Sequence, residues 1–97
     1  MRNQQAQVKR AAPSLAEQLN LVSALYEEML IHHGVRIGVR HARKHLGWAL
    51  DAAAETAGAS AQQLKTARTH VLTSEDPAEV RRRLATAYDG FGWSAAA

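Results

Sequence analysis

From Val35 to Ala54 the chain reads VRIGVRHARKHLGWALDAAA, and this stretch decides the fold. Val39, Ala42, Leu46, Ala49, Leu50 and Ala53 recur at intervals of three and four, the spacing that gathers apolar side chains on one side of an α-helix. The same turn of the wheel is read as setting Arg36, Arg40, Arg43 and Gly47 on the opposite face, with Lys44 flanking them. A helix is therefore expected from about Val35 to Ala54, followed by a loop over Thr56 to Ala59. No alternating pattern of a strand occurs here or elsewhere in the chain.

Upstream, Ser14-Leu15-Ala16-Glu17 is a capping box: the serine hydroxyl accepts from a free backbone N–H, and the glutamate reaches back to the cap. Leu15, Leu19, Val22, Tyr26, Met29 and Leu30 then follow at helical spacing. Gly34 is the expected stop, because glycine adopts the positive φ of a helix C-cap without steric cost. Residues 1–13, polar and aperiodic, read as a linker or a truncated end.

Downstream, Ser60-Ala61-Gln62-Gln63 is a second capping box, opening a helix that carries Leu64, Ala67, Val71 and Leu72. Asp76-Pro77-Ala78-Glu79 is read as a third, with proline at the first helical position, where its missing N–H costs nothing. Val80, Leu84, Ala87 and Tyr88 continue it, and Gly90 is expected to end it, leaving residues 91–97 as a tail. The expected fold is all-α, a small bundle of four helices with the working domain at residues 14–90.

Composition narrows the possibilities. Ninety-seven residues make one domain, and a hydrophobic share of 46% against 22% charged excludes a disordered chain. Much of that share is alanine, so the core is expected to be thin. No cysteine is present, which removes disulfides, thiolate metal sites and cysteine nucleophiles together. No apolar run approaches the length of a membrane span, and Met1 to Arg10 lacks the apolar stretch of a secretory signal, so a cytoplasmic location is expected.

The net charge of +3 matters less than its placement. Between Met29 and Leu50 there is no aspartate or glutamate, yet Arg36, Arg40, Arg43 and Lys44 all fall there. A block of one sign points to an anionic partner. Arginine at three- and four-residue spacing presents planar forks to phosphate oxygens along about two helical turns, and Gly47 is expected to admit a nucleic-acid backbone. Lys65 and Arg68 form a smaller pair on the third helix. Arg81-Arg82-Arg83 cannot all face one way.

Other constellations are weaker. His41 and His45 stand four apart, a spacing that can show two imidazoles to one metal, but no third ligand lies nearby, and no metal is expected. Trp48 falls on the border between the basic and apolar faces, where it could stack on a base or dock on a neighbouring domain, although packing at the edge of the core is the commoner outcome. There is no glycine-rich phosphate loop and no nucleophile beside a base, so the chain is not expected to be catalytic.

The segment Gly34-Val35-Arg36-Ile37-Gly38-Val39-Arg40-His41-Ala42-Arg43-Lys44-His45-Leu46-Gly47-Trp48 resembles a signature of bacterial tRNA-dihydrouridine synthases of the DusB type. That signature is Gly-x-x-x-Gly-x-Arg-x-x-Arg-Lys-His-x-x-Trp in the C-terminal domain. The preceding amphipathic helix and the Thr73 to Pro77 turn are similar to the family's layout, so the resemblance covers roughly Ser14 to Tyr88. The chain departs from the pattern at His33 and Ala49, where the family usually carries aromatics. The resemblance implies a parent enzyme that reduces the 5,6 double bond of uridines in tRNA with FMN, itself reduced by NADPH. It also implies a separate N-terminal flavin barrel that supplies the catalytic cysteine, which this chain lacks.

The expected function is accordingly a tRNA-binding domain, with Arg36, Arg40, Arg43, Lys44, Gly47, Lys65 and Arg68 at the contact and tRNA and its own barrel as partners. Two other classes remain open. One is a docking module that uses the Arg-Lys-His segment for ion pairs with the barrel or another protein. The other is a small helical DNA-binding protein, for which the helix offers only arginine and lysine to read bases.

Overall fold

The computed structural model describes residues 13–96 and places them in four helices. These are α1 (Leu15–His33), α2 (Val35–Ala57), α3 (Ala61–Leu72) and α4 (Pro77–Ala96). Apart from Pro13, the segment read as a linker lies outside the described residues.

Both serine capping boxes close. Ser14 Oγ accepts from Glu17 N–H at 3.1 Å while the Ser14 N–H donates to Glu17 Oε1 at 2.8 Å. Ser60 and Gln63 repeat the exchange at 3.1 and 3.0 Å. The third box does not form. Glu79 turns away to Arg82 and Arg83, and the Asp76 N–H donates to Ser74 Oγ instead. A carboxylate with two guanidiniums within reach gains more from them than from one backbone N–H. Those bonds also hold the Glu79 carboxyl below its ordinary pKa.

Gly34 ends α1, its N–H donating to the Leu30 carbonyl at 2.9 Å, and with φ of 83° it also begins α2. One residue thus reverses the chain, and α1 and α2 run antiparallel. At the hairpin's closed end Gly38 presses on α1: a Cβ there would stand 2.8 Å from the Met29 carbonyl oxygen and 2.9 Å from the Leu30 Cα. At the open end Gln18 Nε2 donates to Thr56 Oγ1 at 2.9 Å. α2 outlasts its expected end by three residues. It stops at Gly58, where the Ala59 N–H reaches back to the Ala54 carbonyl at 2.9 Å.

The largest difference from the sequence reading lies in α4, which passes through Gly90 and continues to Ala96. Each glycine costs a helix about 1 kcal/mol. Burying a phenylalanine returns roughly 1.5–3 kcal/mol, and Phe91 is 2% exposed in the core. Residue 91 therefore belongs to the bundle and not to a tail.

Tyr26, Leu46, Leu50, Val71, Val80, Leu84, Tyr88 and Phe91 form the centre of the core, with Ala42, Ala53, Ala54 and Ala67 between them. The alanines let helix axes approach, and the result is thin, with principal extents of 46 × 33 × 17 Å. Tyr88 crosses the core to donate to the Ala49 carbonyl at 3.2 Å, and burial pushes its hydroxyl pKa up to about 12.

Candidate nucleic-acid interface

At 3.6 residues per turn, positions seven apart are nearly eclipsed, so Arg43 lies only about 20° around α2 from the core residue Leu50. The arginines expected opposite the apolar face are therefore its neighbours, and tertiary packing divides them into two groups.

Arg43 and Gly47 turn inward. Arg43 is half-buried and pairs with Glu75 of the α3–α4 connection at 3.1 Å. Gly47 is buried. Above it sits Arg68 of α3, whose guanidinium donates to the Gly47 carbonyl at 3.0 Å and to Asp51 Oδ1 at 2.9 Å. A Cβ on residue 47 would meet that guanidinium at 3.2 Å. The close approach that Gly47 permits is thus made by Arg68, which corrects its reading as a seat for a nucleic-acid backbone.

Arg36, Arg40 and Lys44 turn outward. All three are exposed, and no acid among the described residues stands within ion-pair distance of them. Arg36 and Arg40 line a shallow groove with Val35, Val39 and Glu75. The three cations stand four residues apart and form a single ridge along α2. Locally this ridge is unfavourable. Like charges at i, i+4 repel. Arg36 also sits at the positive end of the helix dipole, in a first turn that holds no acid, and no side chain caps the helix there. Glu75 borders the groove but is paired with Arg43, and the crowding of like charge that remains is what a site for an external anion looks like.

The remaining residues fall away from this ridge. Lys65 is exposed on α3 and has no ion-pair partner among the described residues. Each arginine of the Arg81–Arg83 run has an acid: Arg81 pairs with Glu27 at 2.8 Å, while Arg82 and Arg83 share Glu79, Arg83 at 3.1 Å. His41 stacks on His33 with centroids 4.8 Å apart, and His45 meets Trp48 edge-on. Among the described residues no group of three potential ligands gathers that could hold a metal ion, and no helix is long and apolar enough to cross a membrane.

Sequence reasoning missed Glu75 and Asp51 as neutralising partners, since no local pattern announces a contact across 32 or 17 residues. It also set Trp48 on a border when the residue continues the ridge. The signal was available: 36, 40, 44 and 48 are four apart throughout.

As a class this is an all-helical domain that carries an exposed cationic ridge along one helix. Its relatives give that class a context. The chain is 37% identical over 83 residues to a protein of Rickettsia conorii named probable tRNA-dihydrouridine synthase, covering 82% of this chain and 22% of that protein. A protein of the same name from Rhizobium leguminosarum bv. phaseoli is 41% identical over 64 residues, covering 66% of this chain and 18% of that one. A third, from Rickettsia prowazekii, is 40% identical over 40 residues. The chain is thus similar to one part of tRNA-dihydrouridine synthases and spans about a fifth of the length of the first two. No family model and no solved structure matches it.

Proposed function

We propose that this chain is the C-terminal, tRNA-gripping domain of a DusB-type tRNA-dihydrouridine synthase acting in the cytoplasm. The observation that carries the reading is the ridge of Arg36, Arg40 and Lys44, exposed and with no ion-pair partner among the described residues. The similarity to proteins named for tRNA modification supports the choice of tRNA as the polyanion. Arg43, Arg68 and Lys65 are outlying contacts, the first two only insofar as phosphate competes with Glu75 and Asp51.

In this reading the flavin, the NADPH site and the catalytic cysteine belong to a barrel domain elsewhere in the parent enzyme. Among the described residues, this chain's own apolar groove, lined by Leu15, Leu19, Tyr88 and Trp93 among others, holds no cation. The domain's task is to hold the folded RNA by its phosphates. A uridine is extruded from a stack only when the surrounding backbone is held.

Titration of the 97-residue chain with folded tRNA tests the reading. With about three phosphate contacts, affinity falls roughly 20- to 40-fold between 50 and 200 mM salt. Replacing Arg36, Arg40 and Lys44 together with alanine flattens that dependence. A triple variant that binds like the parent chain at both salt concentrations refutes the ridge.

A second reading concerns a different surface. Ile31, Val35 and Ile37 are 78, 56 and 51% exposed around the Gly34 turn. Such an apolar rim favours docking of the hairpin tip on the barrel. Mixing the chain with a separately expressed barrel, without RNA, tests it: association should be lost in Ile31→Ser.

A further inference from the structure

We infer that Trp48 is a stacking platform for an unpaired nucleobase, a role that rests on the ridge reading and extends it. Arg36, Arg40, Lys44 and Trp48 occupy successive positions of one i+4 row on α2. Each step advances about 6 Å along the helix, and the row spans about 18 Å. Three members are exposed cations, and the fourth is a tryptophan 59% exposed to solvent. A flat apolar ring left in water at the end of a cationic row meets both chemical demands of a nucleotide strand: phosphates along the cations and a π-face for a base.

The surroundings of the ring favour this use. His45, half-buried, meets Trp48 edge-on at 5.4 Å with planes at 87°, which limits rotation of the indole. The Lys44 ammonium lies over the ring, 5.6 Å from a centroid. A cation–π contact at an exposed site is weak. An arriving base can therefore displace the ammonium, which remains beside that nucleotide's phosphate.

Leu21 and Leu25 of α1, 65 and 41% exposed, border the shallow apolar hollow next to the indole. A base stacked on Trp48 would cover part of it. An apolar protein face docked at the same place would leave the adjoining row of Arg36, Arg40 and Lys44 without an anion. The nucleotide satisfies both.

The test uses Trp93→Phe, which leaves Trp48 as the single tryptophan of the 97-residue chain. Its fluorescence is followed at 50 mM salt during titration with single-stranded oligouridine, and with an abasic ribose-phosphate oligomer of equal length. The oligouridine should quench the emission by roughly half, and the abasic oligomer should bind with little quenching. Trp48→Ala should weaken oligouridine binding roughly 5- to 100-fold and leave abasic binding unchanged, whereas Trp48→Phe restores most of the loss. If oligouridine binds with the salt dependence of the ridge but the emission stays constant, the platform is overturned and the ridge stands. If neither oligomer nor folded tRNA binds in a salt-dependent way, the ridge falls and the platform with it.

Discussion

Two arginines of α2, Arg40 and Arg43, differ by three positions and have opposite fates. Arg43 lies close to the angle of Leu50, meets Glu75 at 3.1 Å and is half-buried. Arg40 lies about 60° further round and stands in solvent with no acid among the described residues within ion-pair distance. The same contrast holds for Arg68, drawn over Gly47 and onto Asp51, against Lys44, whose ammonium lies over the exposed Trp48 ring. A guanidinium is thus assigned to structure or to binding by a fraction of a helical turn, and charge counts along the chain cannot separate the two.

Removing cations from each side breaks the comparison most strongly. The triple alanine variant of Arg36, Arg40 and Lys44 should lose about 100-fold in tRNA affinity at 50 mM salt. Its melting temperature should not fall, because the substitutions relieve like-charge repulsion. Arg43→Ala should do the reverse, costing up to about 1 kcal/mol of stability with less than about a twofold change in affinity. Comparable affinity losses in the two variants would erase the distinction.

The interior behind the ridge offers a pH probe. Tyr88 has its hydroxyl pKa pushed up to about 12 by burial, against about 10 in an unfolded chain. The sign follows from the neutral form being favoured in the fold. Its contribution is complete below about pH 10 and is lost as pH rises through about 12, by roughly 2 kcal/mol. Denaturant titrations across that range should show the loss in the parent chain and a smaller one in Tyr88→Phe, because burial also raises the hydroxyl pKa of Tyr26.

The two buried glycines of α2 sharpen the contrast between backbone and side-chain neighbours. Gly38→Ala drives a methyl against the Met29 carbonyl and the Leu30 Cα, and should cost roughly 1–3 kcal/mol. Gly47→Ala meets only the mobile end of Arg68. The gain in helix propensity offsets the displaced hydrogen bond, and the net change should stay within about 0.5 kcal/mol. Thermal melts of both variants decide it; equal losses would mean that Arg68 is held as firmly as backbone.

A gain in binding should come from Glu75→Gln, which frees Arg43 and removes the acid from the groove of Arg36 and Arg40. Affinity for tRNA at 50 mM salt should rise about 3- to 10-fold as one more cation becomes available. Weaker binding would show that Glu75 positions Arg43 for the RNA and does not withhold it.

Much of the bundle was legible without coordinates because its signals are local. The two serine boxes, the Gly34 reversal and the three-four spacing of apolar residues act within a few positions, where backbone geometry alone sets the outcome. The end of α4 was not legible. Gly90 carries a local stop signal, and only the cavity prepared for Phe91 by the other helices outweighs it. The third capping box failed in the same way, once Arg82 and Arg83 drew Glu79 aside.

What the sequence determined by itself is an all-helical chain with a basic block free of acids between Met29 and Leu50, since helical period and charge are properties of neighbouring positions. Which of those cations remain free was decided by the tertiary structure. Glu75 and Asp51 come from other turns of the fold, and an ion pair depends on distance in space. The ridge of Arg36, Arg40, Lys44 and Trp48 is what was left when packing had claimed the rest.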